Sequence, residues 1–459
     1  MTQEEKFIRM TTEPIPKLVG SLAVPTIISM LVTSFYNMVD TYFVGKINTS
    51  ATAAVGVVFS LMAVIQAVGF LFGHGSGTFM ARKLGEKDRE TASAISNAGF
   101  FFCLAFGLVF MITGLFFVEP LAYFLGATDL SFPYAVDYMR IILLGSPYMM
   151  ASFVLNNQMR YQGNAMYAMI GIIVGAVLNI ALDPLLMFVF DLGIKGAALA
   201  TIISQAVSFL LLLAATHFGG NIPITLRKNP FSFQLLPKII SGGFPSLCRQ
   251  GIASISVMLL NTSARDIALA QAGTTDALVY ADAAIAGMSI VSRITMFANS
   301  ALIGFGQGFQ PVCSFNYGAK IYDRVKESFW FCVKVSLVFL IVTAILGYVF
   351  APQLVGFIRD DDPLVAQIGT FALRAQCFSF PLSSWIVMCN MLLQACGQSF
   401  LASVVASCRQ GICFIPMLYI LPAFWGFTGI MIAQPVADAF TLLVSLVAGL
   451  WFLRKIKNK

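Results

Sequence analysis

The chain has 459 residues, of which 58% are hydrophobic and only 11% charged, whereas a soluble domain carries roughly 25% charged residues. No water-soluble fold hides that much apolar surface, so lipid is the expected solvent for most of it. The formal net charge of +7 does not point to nucleic acid, because the basic residues are scattered over short loops between apolar runs.

The chain opens on "MTQEEKFIRMTTEPIPK", too polar and charged for a cleavable signal peptide. Apolar stretches then follow, each long enough for the roughly 20 residues that cross about 30 Å of hydrocarbon. There are twelve, at 18–45, 54–79, 95–118, 134–158, 166–190, 194–218, 239–264, 280–310, 327–350, 364–394, 399–423 and 426–452. The seventh and eighth are the least clean, because "NTSARDIALAQAGTTDALVYADAAIAG" is mixed in character. Nine cysteines show no paired metal spacing. Cys103, Cys332, Cys377 and Cys413 lie in apolar runs and read as small core residues.

Lysine and arginine set the orientation. With the N-terminus inside, the inner segments hold 18 basic residues, from Lys6, Arg9 and Lys17 to the tail Arg454, Lys455, Lys457 and Lys459. The outer loops hold four: Lys46, Lys195, Arg265 and Arg359. Acids collect outside instead, at Asp129, Asp276 and Asp360-Asp361-Asp362. Both termini are therefore expected in the cytoplasm, which an even number of crossings allows.

The chain also repeats itself once. "GFLFGHGSGTFMARKLGEKDRE" carries Gly73, Gly75, Gly77, Gly85 and Asp88-Arg89; "GFGQGFQPVCSFNYGAKIYDRV" carries Gly304, Gly306, Gly308, Gly318 and Asp323-Arg324. Pro120, Arg140, Pro147 and Gly163 are echoed by Pro352, Arg374, Pro381 and Gly397, and the partners stay 231–235 residues apart. Two six-helix halves of the same topology imply lobes related by an axis along the membrane normal. The expected division is an N-lobe at 1–218, a linker at 219–238 with Pro223 and Pro230, and a C-lobe at 239–459. The fold class is thus an all-α integral membrane protein of twelve transmembrane helices in two lobes related by a pseudo-two-fold.

Few motifs carry chemistry. No phosphate-cradling G-x-x-x-x-G-K-[ST] is present, so ATP is not the expected energy source. The Gly73-Gly75-Gly77 cluster reads as close helix packing. His74 and His217 have no partners at ligand spacing, and no nucleophilic or metal constellation appears, so an enzyme is not expected. The acids are more informative. Asp40, Asp183 and Asp438 lie within crossings, where an aspartate at mid-helix costs about 2.5–3.5 kcal/mol on insertion scales. Tyr36 and Asn37 share a helical face with Asp40, and Asn179 shares one with Asp183. By depth, Asp40, Asn179, Asp183 and Thr201 fall at one level of the first, fifth and sixth crossings. Pro184 lacks an amide hydrogen and leaves the Ile180 carbonyl without its usual partner. Carboxylates, amide oxygen, hydroxyl and carbonyl together make a hard oxygen site suited to Na⁺ or a shared proton. The alternative is a polar knot that only fixes packing.

The second half lacks this set. The counterpart of Asp40 falls near Leu260 or Asn261, and that of Asp183 near Pro416 or Met417. Asp438 is a candidate for substrate contact, or for pairing with an arginine such as Arg409. Arg140, Arg249, Arg293, Arg374 and Arg409 read as helix-end or snorkelling residues with no site role. With 42 phenylalanines and 21 methionines, a cavity lined by some of them holds flat hydrophobic molecules, and a carboxylate beside aromatic faces favours organic cations.

The sequence resembles the multidrug and toxic compound extrusion (MATE) family, nearest its bacterial MepA-like and DinF-like branch. The carriers are "PTIISMLVTSFYNMVDTYFVG" from Pro25, "GHGSGTFMARKLGEKDRE" from Gly73, "RYQGNAMYAMIGIIVGAVLNIALDPLLM" from Arg160, "GIKGAALAT" from Gly193 and "GFGQGFQPVCSFNYGAK" from Gly304. The resemblance implies a multi-pass, monomeric protein of the bacterial inner membrane, with a central cavity between its lobes. It implies export of cationic or amphipathic drugs in exchange for Na⁺ or H⁺, with no cofactor besides that ion. The family pattern of an aspartate on helix 1, Asn-x-x-x-Asp on helix 5 and threonine on helix 6 matches Asp40, Asn179, Asp183 and Thr201. The alternative on the same fold is an exporter of an endogenous metabolite, or a flippase for a lipid-linked precursor. A flippase needs cationic residues along the cavity, and Arg249 and Arg293 are the few candidates.

Overall fold

The computed structural model describes residues 2–47, 49–225, 232–271, 277–358 and 363–457, and among these all regular structure is helical. A short helix, α1 (Gln3–Thr12), leads. Thr2 accepts from the Glu5 amide and the Glu5 carboxylate accepts from the Thr2 amide, a reciprocal cap. The first half continues with α2 (Ile15–Gly45), α3 (Thr49–Gly85), α4 (Arg89–Phe116), α5 (Val118–Phe124), α6 (Phe132–Tyr161), α7 (Ala165–Pro184) and α8 (Gly193–Ala215). The second half has α9 (Leu236–Gln271), α10 (Ala277–Gly318), α11 (Tyr322–Val349), α12 (Ala351–Ile358), α13 (Pro363–Cys377), α14 (Ser379–Ala395), α15 (Ser399–Ser407), α16 (Phe414–Trp425) and α17 (Phe427–Lys457). One π-helical turn, Leu185–Val189, continues α7, and another, Cys408–Ile412, joins α15 to α16.

Among the described residues ten helices are long and apolar enough to cross a membrane, and α13 with α14 makes an eleventh crossing bent by 48°. The twelfth is α9. Its composition is mixed, as the sequence suggests, but its 36 residues reach about 54 Å at 1.5 Å per residue. The result is the expected all-α membrane fold of two six-helix lobes. Two details depart from the sequence reading. The tenth stretch, expected unbroken over 364–394, divides at Phe378, because Pro381 has no amide to give the Cys377 carbonyl. Short α5 and α12, which hydropathy does not reveal, occupy matching places in the two halves and extend the repeat.

Across the midline α2 runs along α10, and α3 along α9. Glycines let these backbones touch. A Cβ at Gly243 would lie 1.7 Å from the Leu71 carbonyl oxygen, one at Gly75 2.0 Å from that of Ile239, and one at Gly308 2.4 Å from Ala23 Cα. The seam ends where the termini lie: the ring of Phe7 is 5.5 Å from that of Phe315, and Phe452 is 6.3 Å from Tyr317. Arg160 of α6 donates across the seam to Gln307 of α10. The bundle is therefore shut at the terminal end. Asp276, Arg359, Asp360, Asp361, Asp362 and Lys459 lie outside the described residues, as do linker residues 226–231 with Arg227, Lys228 and Pro230, and the side chains of Asn261 and Arg265.

Candidate functional site

Three helices of the first half gather the expected oxygens, because α2 packs along α7 and α7 along α8. Asn179 Nδ2 donates to Asp183 Oδ1 at 3.4 Å. Asp183 is fully buried, Asn179 and Thr201 nearly so, and Asp40 is half-buried. Thr201 Oγ1 donates to the Ala197 carbonyl at 3.1 Å. Asp40 bears electrostatically on Asp183, and both act on Tyr36. Pro184 closes α7, and the chain widens into the π turn, where the Phe190 amide donates to Leu185 O at 3.0 Å. A π turn of this kind is frequent at functional sites.

The set lacks a cation of its own. Among the described residues no lysine or arginine pairs with Asp40 or Asp183. Asp40 Oδ1, Asn179 Oδ1, Asp183 Oδ2 and Ser204 Oγ are buried without a hydrogen-bond partner among the described residues. Buried polar atoms are normally satisfied, and each left unmade costs about 1–3 kcal/mol. Four such oxygens, one from each of the two uncompensated carboxylates and one each from Asn179 and Ser204, are suited to a hard cation or a proton. Sequence reasoning missed three neighbours. Tyr138 on α6 lies beside Thr201 on the cavity wall, and Gln205 on α8 beside Tyr36 in the deeper chamber; Ser204 follows Thr201 by three residues. The spacing after Thr201 was a usable signal for Ser204 and Gln205. Nothing in the sequence places Tyr138 beside them.

Beside the site opens a cavity of about 840 Å³ between the halves, bounded by Asp40, Phe59, Thr201, Arg293 and Met296, and reaching Lys46 at the end away from the termini. A deeper chamber of about 160 Å³ shares Tyr36, Asn37 and Met62 with it and adds Phe70, Phe153 and Gln250. Asp40 lines the cavity wall. Asp183 and Asn179 stand behind it and line neither chamber. The histidines take no part: His74 is buried with Nδ1 3.3 Å from the Phe70 carbonyl oxygen, and His217 is exposed.

The second half differs in kind. Of the residues matched to Asp40 (Leu260 or Asn261) and to Asp183 (Pro416 or Met417), Leu260 and Met417 pack against an apolar core, and none is an acid. Of the two expectations for Asp438, pairing is the one present. Arg409 Nε lies 3.3 Å from its Oδ1, Gln434 donates to the same oxygen at 3.0 Å, and the carboxylate is fully buried. The helix-end reading of the arginines holds for Arg140, which meets Glu119 in a half-exposed pair. It fails for Arg249 and Arg409, which are held inside the bundle beside Asn390 and Ser383.

The MatE family model matches residues 25–185 and 277–420. The multidrug export protein MepA of Staphylococcus aureus is 26% identical over 449 residues, covering 97% of this chain and 96% of that protein. MepA of Staphylococcus saprophyticus is 28% identical over 427 residues, covering 93% and 91%. A solved outward-facing structure of a multidrug resistance MATE family transporter superposes with a TM-score of 0.90 at 24% identity, over 98% of this chain and 99% of that one.

Proposed function

Since this chain belongs to the MatE family, whose relatives here are multidrug export transporters, we propose that it is a secondary active antiporter. It exports cationic or amphipathic organic compounds from the cytoplasm in exchange for Na⁺ or H⁺. The observation that carries the reading is the pair of carboxylates without a counter-ion among the described residues, half-buried Asp40 at the cavity wall and buried Asp183 behind it, beside the unpartnered oxygens of Asn179 and Ser204. A structural knot supplies its own partners; a transport site leaves them vacant for cargo.

With the termini in the cytoplasm, the cavity faces outward and the glycine seam closes the inner end. An ion entering from outside reaches Asp40 first, then the shielded Asp183 with Asn179 and Thr201. Neutralising the acids removes their attraction for a bound organic cation, which leaves. α2 is the element that can transmit this. It carries Asp40, and its buried Pro25 sits between Ala23 and Ile27, the residues seated against Gly308 and Gly304. A change at the acids therefore bears on the seam that separates the two access states. Ion and drug compete for one charge, so each weakens the other by the same factor. The membrane is the bacterial inner membrane, and the protein works as a monomer with no further cofactor.

The test is reconstitution into vesicles with a Na⁺ or a pH gradient imposed separately, following ethidium. Gradient-driven uphill movement under one of the two supports the reading. Passive equilibration under both overturns it. The flippase alternative draws on Arg293 at the cavity wall and is tested in the same vesicles with a fluorescent polyprenyl pyrophosphate.

A further inference from the structure

The acid site leaves the intramembrane arginines unexplained, and Arg249 is the one with the most to say. Arg249 stands about 20 Å along α9 from Leu236 at 1.5 Å per residue, well inside an apolar layer roughly 30 Å thick. Its guanidinium donates to Asn390 Oδ1 at 3.1 Å and meets Ser246 Oγ at 3.5 Å. Both partners are neutral, and among the described residues no carboxylate pairs with it. The two nearby arginines are engaged. Arg409 is compensated by Asp438, and Arg160 is held by Gln307 and by Asn157 Oδ1 at 2.6 Å, fastening the seam. Arg160 also borders the deeper chamber and Arg293 the wider cavity, but Arg249 and Arg409 are the arginines that share a separate small pocket in the second half, and of these two Arg249 has no carboxylate partner among the described residues.

That space is a pocket of about 120 Å³, walled by Arg249, Gln250, Asn299, Asn390, Arg409 and Gln410, with aliphatic side chains filling the remainder. A single water needs only ~10–15 Å³ on this measure, so the pocket accommodates a carboxylate and part of the ring that bears it. Gln250 also walls the deeper chamber, which in turn shares Tyr36 and Asn37 with the cavity that Asp40 lines, so the basic pocket, the chamber and the acid-lined cavity adjoin in series. The backbone around Arg409 is the π turn Cys408–Ile412, and Ser256 Oγ donates to the Gln410 carbonyl, which fixes that wall. A planar fork is the arrangement that recognises a carboxylate in two-point fashion, and Asn390 orients it: its Oδ1 accepts from Arg249 while its Nδ2 donates to the Ala402 carbonyl.

We propose that Arg249, with Asn390 and Arg409 beside it, is an anion subsite that takes the carboxylate of a substrate whose ammonium end faces Asp40. The favoured substrates are amphoteric compounds carrying both charges. This specifies the cargo of the antiport reading and rests on it for transport, but not for binding.

The experiment measures binding by fluorescence anisotropy to purified full-length protein in detergent, without any ion gradient. The probes are one rhodamine dye in two forms, the free acid and its ethyl ester, which share the cationic ring. Arg249→Gln is expected to weaken the free acid about tenfold to a hundredfold and to leave the ester within about threefold, the range of a lost charge-assisted contact. Arg249→Lys retains charge without the fork and falls between. Equal loss for both dyes, or no loss for either, overturns the proposal. Should Arg249→Gln not fold, wild-type protein decides: benzoate displaces the free acid and spares the ester if the subsite exists, and affects both or neither if it does not. Wild-type protein that binds both dyes as expected yet moves neither against a gradient refutes the antiport reading and leaves the subsite standing.

Discussion

The fifth crossing of each half is interrupted by a π turn, after Pro184 in the first and after Ser407 in the second. The first interruption sits beside Asn179 and Asp183, whose oxygens lack a cation. The second contains Arg409, whose charge is matched by Asp438. Around them the helix order, the short α5 and α12, and the glycine contacts of the seam recur in both halves. The repeat therefore preserves what packing requires and lets the buried charges diverge, leaving an acidic cluster in one half and a basic one in the other. On the proposed reading, an acid without a counter-ion serves transport and an acid with one braces the bundle.

That distinction predicts opposite results from one chemical change. Asp183→Asn removes an uncompensated carboxylate, so the variant inserts and melts no lower than wild type. Gradient-driven efflux disappears, and the dye ratio across reconstituted vesicles relaxes to one. If the variant still drives export at the wild-type rate, the coupling site lies elsewhere. Asp438→Asn strips Arg409 of its counter-charge inside the bundle, and breaking such a pair costs about 3–5 kcal/mol. Its expected signature is a lowered melting temperature in detergent. Replacing both partners, as in Asp438→Leu with Arg409→Met, restores stability, because a buried pair exchanged for apolar side chains is close to neutral. If Asp438→Asn melts normally and loses transport instead, the brace is a site and the comparison breaks.

The shared scaffold makes a smaller, symmetrical prediction. Gly243→Ala places a methyl group against Leu71 O, and Gly308→Ala places one against Ala23. Overpacking of this kind costs about 1–3 kcal/mol, here charged to the closed seam. Both variants should raise the reactivity of a cysteine introduced at the terminal end of the seam, and to a similar degree. A response from only one would show that the two seams are not equivalent.

How legible was this in the sequence? The crossings, the repeat and the acid cluster were, because each depends on quantities that run along one chain: apolar length, spacing and three- or four-residue faces. Thr201 and Asp183 needed only depth to be placed together. Contacts between helices distant in sequence were not. Tyr138 reaches Thr201 from a crossing with no polar face pointing to it. The break at Phe378 rests on a proline whose equivalent, Pro147, lies inside an unbroken α6. Arg249 was misread even though the expected crossing at 239–264 already places it ten residues in, because spacing along one chain does not show that Asn390, on a distant helix, holds it inside. Asp438 and Arg409, 29 residues apart, were recognisable as a pair only as one of two choices.

The smallest expected effect discriminates between the ions. A proton needs one carboxylate, so the acids alone suffice for it. Na⁺ needs several oxygens at once, and a hydroxyl whose hydrogen is already given away offers lone pairs to it. Thr201 is such a group, since its hydrogen goes to the Ala197 carbonyl. Thr201→Val keeps the shape and deletes the oxygen. Losing one such contact is worth about 0.5–1.5 kcal/mol, so the Na⁺ concentration for half-maximal efflux should rise by about twofold to tenfold. Proton-driven efflux has no use for the hydroxyl and should hold its midpoint. A variant that shifts the Na⁺ midpoint assigns Thr201 to the coordination shell. One that shifts neither midpoint confines the ion to the carboxylates, and Thr201 then serves only to orient Tyr138.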